Sequence, residues 1–177
     1  PQGLIHLCLE SNCEEVHEFA VKALRANDAF LKDLPTELLV ELLRRPYVVT
    51  ARLAFELAKD RYDANNPDLM LVAAMATCPV VDARKQAFEW IAANRAAFTQ
   101  DAEFVASLLL CPHDDTQQAA KELLAAAVLS KDVAQAVIGR ILVHLLQDWP
   151  KAAPEVEARK KTDADDEDDE EEYDGYE

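Results

Sequence analysis

The feature of this chain that most constrains its fold is an internal repeat with a period of 33 to 34 residues. Four positions come into register at spacings of 34, 33 and 33 residues, and we call them the anchors: Asn12, Pro46, Pro79 and Pro112. An alanine follows each anchor by eight residues, at Ala20, Ala54, Ala87 and Ala120. A large apolar residue precedes each anchor by eight, at Leu4, Leu38, Leu71 and Phe104. Self-similarity at a fixed period of this length indicates stacked copies of one supersecondary unit.

The pattern within each repeat predicts a helix, a turn and a second helix. In the second repeat Leu38, Leu39, Leu42 and Leu43 form the apolar stripe of one buried helix face. Pro46 ends that helix, because proline disfavours helical geometry in the residue before it. The register places the first helices at about 4–11, 35–44, 67–77 and 102–110, and the second helices at about 14–26, 48–62, 81–93 and 115–129. A last helix from Val133 to about Trp149 is expected to cover the fourth repeat with Val133, Val137, Ile141 and Leu145.

Composition supports an all-α chain, since it holds only 3 glycines and lacks the turn and alternation signals of strands. We therefore predict a right-handed α-solenoid of about four helix-turn-helix repeats, a C-terminal capping helix and an acidic disordered tail. The predicted boundaries are 1–149 for the solenoid, with repeats at about 1–34, 35–66, 67–100 and 101–131 and the cap at 132–149. Residues 150–177 are predicted to be a linker and an acidic low-complexity tail.

The tail carries most of the charge imbalance. The chain has a formal net charge of −16, and residues 163–177 hold eleven acids and no base. Without them 23 acids face 18 bases, which leaves a mildly acidic body at −5. Eight acids are consecutive: Asp165, Asp166, Glu167, Asp168, Asp169, Glu170, Glu171 and Glu172. Such a composition cannot bury enough apolar area to offset the entropy of ordering.

The stretches 38–46 (LLVELLRRP) and 53–57 (LAFEL) resemble the units of bacterial HEAT-like repeat arrays. The resemblance covers roughly residues 1–149 and implies stacked helix pairs that serve mostly as protein-binding scaffolds. HEAT-like units commonly carry an arginine five residues past the turn proline, often paired with an aspartate. In this chain Arg84 is the only arginine at that position. The equivalent residues of the other repeats are His17, Ala51 and Gln117, so no regular Arg–Asp ladder is expected. The chain also begins inside an apolar helical pattern, so we expect a segment of a longer array.

Four potential zinc ligands lie within twelve residues, at His6, Cys8, Cys13 and His17. The register argues against a metal site, because Cys8 occupies a core position held by leucine or methionine in the other repeats. We expect a core cysteine and surface histidines instead. Cys78 and Cys111 stand one repeat apart, so a redox pair is conceivable, but small apolar turn residues are the favoured interpretation.

No motif indicates an enzyme. Asp114 and Asp115 follow Pro112 and His113 and are expected to cap a helix and favour its dipole. A glycine-rich phosphate loop and a nucleophile elbow are missing, so no catalytic residue, cofactor or metal is predicted. No apolar run approaches the roughly 18 residues that span a bilayer. Cysteines scattered within helical patterns favour reduced thiols and a cytoplasmic location.

The leading hypothesis is a non-enzymatic scaffold that binds another protein, or another domain of a parent chain, through the exposed faces of its second helices. The candidate contact residues are Arg52, Glu56, Lys59, Lys85, Glu89, Gln118 and Glu122. One alternative is a nucleic-acid-binding module like the HEAT-like DNA glycosylases, which needs a basic groove. The cations available for it are Arg44, Arg45, Arg52, Lys59, Arg61, Arg84, Lys85 and Arg95. Another alternative is a chaperone of basic proteins, or a nucleic-acid mimic, that acts through the acidic tail.

Overall fold

The computed structural model describes residues 1–147, and in this part of the chain every regular element is an α-helix. The predicted all-α class is therefore confirmed. The helices are α1 (Gln2–Glu10), α2 (Glu14–Arg25), α3 (Asp28–Lys32), α4 (Thr36–Leu43), α5 (Val48–Arg61), α6 (Leu69–Thr77), α7 (Val81–Ala93), α8 (Arg95–Thr99), α9 (Ala102–Leu109), α10 (Asp114–Ala125) and α11 (Lys131–Gln147).

The repeats appear as contacting helix pairs: α1 with α2, α4 with α5, α6 with α7, and α9 with α10. An anchor residue lies in the turn of each pair. The first helices also contact one another in succession, α1 with α4, α4 with α6, α6 with α9, and α9 with α11. Contacts between second helices join α2 to α5 and α7 to α10. The helices of each repeat are thus packed both within the pair and against neighbouring pairs.

Residues that share a register position share the same environment. The alanines at Ala20, Ala54, Ala87 and Ala120 are all buried. So are the residues four positions before the anchors, Cys8, Leu42, Met75 and Leu108. These side chains belong to one continuous apolar core. A small side chain at the alanine position lets the two helices of a pair approach closely, which explains why the sequence keeps it.

Two segments expected to be loops between repeats form short helices, α3 and α8. In α3 a Lys32–Asp28 ion pair of 2.6 Å spans one turn. Leu31 in α3 and Phe98 in α8 are buried, so each short helix adds an apolar side chain to the core. The predicted helix ranges left both segments out, and the structure adds each of them to the helical body.

The last helix covers the fourth repeat only in part. Val137 is buried and α11 contacts α9, as expected. Leu145 was expected to face the core but is 54% exposed. The other large apolar residues exposed on α11 are Ile138, Leu142, Val143 and Leu146. The described residues therefore leave one apolar face of α11 uncovered.

Candidate functional site

A recurring side-chain hydrogen bond fixes the turns of three repeats. In each of them, the side chain five positions after the anchor donates to the backbone carbonyl oxygen of the residue just before the anchor. His17 reaches the carbonyl of Ser11 at 3.0 Å, Arg84 that of Cys78 at 2.9 Å, and Gln117 that of Cys111 at 2.9 Å. These carbonyls lie past the end of a first helix, where backbone acceptors lack helical partners. Histidine, arginine and glutamine thus perform one structural task.

His17 is buried, and the expectation of a surface histidine was wrong. Its ring stacks on Tyr47 with the ring centres 3.7 Å apart. A carbonyl can only accept, so Nε2 donates to Ser11, and in the neutral ring Nδ1 accepts from the hydroxyl of Thr50 at 2.8 Å. The thiol of Cys8 also lies beside Thr50, and burial raises the pKa of this thiol. The side chains of three residues from two repeats therefore satisfy one another.

Arg84 joins the third repeat to the fourth. Its Nε lies 2.8 Å from one carboxylate oxygen of Asp115 and 3.1 Å from the other. Partial burial acts to raise the pKa of Asp115, but the hydrogen bonds and charge of Arg84, with the Thr116 N–H and His113, lower it overall. Asp115 lies in the first turn of α10, where its negative charge interacts favourably with the positive end of the helix dipole. The N-cap residue of α10, His113, makes no side-chain capping bond, but the Asp115 carboxylate accepts from the first-turn Thr116 N–H at 2.9 Å as well as from Arg84.

Half of the cations considered for a nucleic-acid groove are held by internal contacts. Arg84 is buried against Asp115, and Arg52 lies 3.8 Å from Asp82. Arg45 donates to the Ser11 carbonyl, and Arg61 to backbone carbonyls of α3 and of residue 34. The other four, Arg44, Lys59, Lys85 and Arg95, are exposed. The four arginines with internal contacts therefore have structural partners. Fewer cations remain available to bind phosphates.

Within residues 1–147 no three His, Cys, Asp or Glu side chains gather to hold a metal ion. All four cysteines are free thiols. Cys8, Cys78 and Cys111 are buried. Burial is the largest influence on the pKa of the Cys78 thiol, and it raises that pKa. Cys13 is exposed, with its Sγ 2.9 Å from Oε2 of Glu15.

The seven candidate contact residues are all exposed and lie on α5, α7 and α10. Arg52 pairs with Asp82, and Glu56 pairs with Arg25 at 2.8 Å. Lys59 and Lys85 are exposed on α5 and α7. Glu89 and Glu122 line a groove between α7 and α10, and Gln118 donates to Glu122.

This α7–α10 groove has a volume of about 320 Å³. The lining residues are Phe88, Glu89, Ile91, Ala92, Arg95, Leu108, Ala119, Glu122 and Leu123. Ile91, Leu108 and Leu123 are almost fully buried side chains that close its floor. Two carboxylates and one guanidinium occupy the exposed rim. An apolar floor with a few charged groups at its edge is the usual composition of a binding pocket.

Two of the residues that line the groove are small where the first two repeats have larger side chains. Ala92 stands thirteen residues after its anchor, where the first two repeats have Arg25 and Lys59. Ala119 stands seven after its anchor, where Phe19 and Leu53 occur in the same two repeats. Small residues on both facing helices leave the floor uncovered. The register identified Glu89 and Glu122 as surface residues, but only the packing of α7 against α10 brings them to one cavity.

The rim glutamates bind neutral partners. Glu89 accepts from Gln86 at 2.9 Å, and Glu122 accepts from Gln118 at 2.9 Å. Within residues 1–147 neither carboxylate has a cation at ion-pair distance, unlike Glu56 at the same register position, which pairs with Arg25. Both rim carboxylates therefore keep a charge that an incoming cation could meet.

The chain matches no protein-family model, no curated protein and no solved structure at a significant level. None of the described helices is long and apolar enough to cross a membrane. The tail acids from Asp165 to Glu172 lie outside the described residues, as do the linker and the end of the predicted capping helix.

Proposed function

We propose that this chain is a non-enzymatic scaffold that binds another protein, or another domain of a parent chain, through its second helices. The proposal includes a right-handed HEAT-like α-solenoid. It is supported by the successive contacts of the first helices and by the burial shared by equivalent residues. Stacked pairs of this kind present their second helices side by side as an extended surface.

The α7–α10 groove is the observation that supports binding most directly. It lies on the predicted surface, it contains two of the predicted residues, Glu89 and Glu122, and its floor is apolar. Exposed cavities with this composition are typical of recognition sites. The four free thiols favour a reducing compartment such as the cytoplasm as the place where binding occurs.

Site-specific photo-crosslinking in an extract of the host cell tests this proposal. A photoreactive phenylalanine analogue replaces Lys85 or Glu122 on the second helices, or Glu41 on the first helix α4 as the control; all three are exposed. We expect one protein to be crosslinked from Lys85 and Glu122 and not from Glu41. Equal crosslinking from Glu41, or none from the second helices, would contradict the proposal. Deletion of residues 163–177 distinguishes binding by the second helices from binding by the tail. Binding by the second helices should persist after the deletion, whereas tail-dependent binding should be lost.

A further inference from the structure

We propose that the α7–α10 groove is the anchoring site for a basic segment of the partner, which inserts one or two large apolar side chains and places Lys or Arg against Glu89 and Glu122. This inference rests on the proposed scaffold function and adds the chemistry of the partner. It follows from the floor of the groove, from its rim and from the charge of the chain.

The floor selects an apolar side chain. Ile91, Leu108 and Leu123 present apolar surface at the bottom of the groove. A volume of about 320 Å³ lies at the small end of the range for ligand pockets, so it suits one or two side chains rather than a large cofactor. Buried apolar or aromatic anchors in such pockets supply most of the energy of many protein interfaces.

The rim selects a cation close to that anchor. Glu89 and Glu122 stand on facing helices and bind only the amides of Gln86 and Gln118 within the described chain. Lys or Arg beside an inserted apolar residue would meet one or both carboxylates. Arg95 is the one cation that lines the rim among residues 1–147, and it works against such a segment by like-charge repulsion. Removal of the Glu89 and Glu122 charges should therefore weaken binding of a basic segment, whereas removal of the Arg95 charge should not.

The charge of the chain disfavours two other occupants. A second copy would bring another net charge of −16, and long-range repulsion opposes that encounter. The chain's own tail, residues 163–177, carries eleven acids and no base, so it would place carboxylates against Glu89 and Glu122. A basic segment of a different protein, or of another part of a parent chain, has the complementary sign.

Fluorescence anisotropy with three labelled twelve-residue peptides tests the assignment on the full chain. The first peptide has a Phe-Leu centre flanked by lysines, the second has glutamates in place of the lysines, and the third keeps the lysines with serines at the centre. Ala92→Trp fills the groove, and Ala93→Trp is its control, because Ala93 is exposed on the same helix but does not line the groove. Every variant keeps the acidic tail, so attraction of lysine to the tail is common to all.

The lysine and Phe-Leu peptide should bind saturably and lose about tenfold in affinity with Ala92→Trp but not with Ala93→Trp. Glu89→Gln combined with Glu122→Gln should weaken it roughly three- to tenfold, as expected for two exposed ion pairs. Arg95→Ala should leave its affinity equal or higher. Equal binding of the glutamate peptide, equal binding by the two tryptophan variants, or weakening by Arg95→Ala overturns the assignment.

The two proposals fail in different ways. If photo-crosslinking finds a partner on the second helices while the groove and rim variants have no effect on the peptides, the scaffold stands and the partner's chemistry is wrong. If the peptides behave as expected but no protein is crosslinked from Lys85 or Glu122, the groove is a peptide site and the extended scaffold surface is wrong. Circular dichroism of the tryptophan variants establishes that both are folded.

Discussion

Asp115 is the residue whose charge most clearly links pH to the stability of the helix array. Arg84 holds it through two contacts of 2.8 and 3.1 Å, and its pKa is lower in the folded chain than its ordinary value. A carboxyl group with a lowered folded pKa stabilises the fold above its unfolded pKa, about 3.9 for aspartate. That contribution is lost as the pH falls through the folded value.

We therefore expect Asp115→Asn to lower the free energy of unfolding at pH 7, by less than the full value of a buried ion pair because Asp115 is partly exposed. The gap between the variant and the original chain should be constant from pH 7 to about pH 5 and narrow below about pH 4. Urea unfolding at several pH values measures it, and both proteins carry the same tail acids. A gap of the same size at pH 7 and at pH 3 would refute the assignment.

Cys13 should be the one fast-reacting thiol among the four. It is exposed, whereas Cys8, Cys78 and Cys111 are buried, and burial raises the pKa of Cys8 and Cys78. Since the thiolate is the reactive form, the buried thiols should react at least about tenfold more slowly. Titration with a chromogenic disulfide should show one rapid equivalent in the native chain and four in urea. Cys13→Ser should remove the rapid phase, and a rapid phase that persists would contradict this.

At the scale of the helix, the repeated alanine sets the distance between the two members of a pair. Ala54 is fully buried on α5, next to α4. Ala54→Leu should overpack this contact and destabilise the chain by about 1–3 kcal/mol. Ala93→Leu is the matched control, since Ala93 is exposed near the end of α7 and should change stability little. Chemical denaturation of both variants measures the difference in the free energy of unfolding. Equal stability of the two variants would show that α4 and α5 can move apart without a loss of stability.

The sequence predicted the helices better than their ends and surfaces. The eight paired helices begin and end within a few residues of the predicted positions, because apolar spacing and turn prolines act locally. The second repeat's first helix, predicted at about 35–44, is α4 at Thr36–Leu43, and it begins without a side-chain cap. The position of His17 depends on Thr50, 33 residues away, so no local pattern could reveal its burial.

The groove shows the same limit for the candidate site. The exposure of Glu89 and Glu122 follows from helical register and could be predicted. The cavity between them is lined in addition by two small residues, Ala92 on α7 and Ala119 on α10. Each alanine alone is an ordinary helix residue, so the sequence gives a signal for the cavity only when the two repeats are compared position by position.

At the scale of the whole molecule, the predicted boundary between body and tail can be tested by proteolysis. Trypsin has sites at Lys151, Arg159, Lys160 and Lys161, just after the described helices. We expect these to be cut first and a fragment ending at residue 151 to persist, because the Lys and Arg residues of the described body lie on helices, apart from Arg44 and Arg45 in the turn between α4 and α5. Mass spectrometry of a time course identifies the fragments. Early cuts within residues 1–130 would contradict the predicted boundary.

The side-chain links between successive repeats are unequal, and this bears on how the chain would respond to a pulling force. Thr50 and His17 join the first repeat to the second, and Arg84 and Asp115 join the third to the fourth. Between the second and third, the polar side-chain link found within residues 1–147 is the 3.8 Å contact of Arg52 with Asp82, beside the stacked rings of Tyr62 and Trp90. Across this junction α4 also contacts α6 through apolar side chains. In the proposed solenoid, with few polar links here, we expect tension along the stack to part the chain at this junction first, into two halves of two helix pairs each. The extension should then occur in one step before any single pair unfolds.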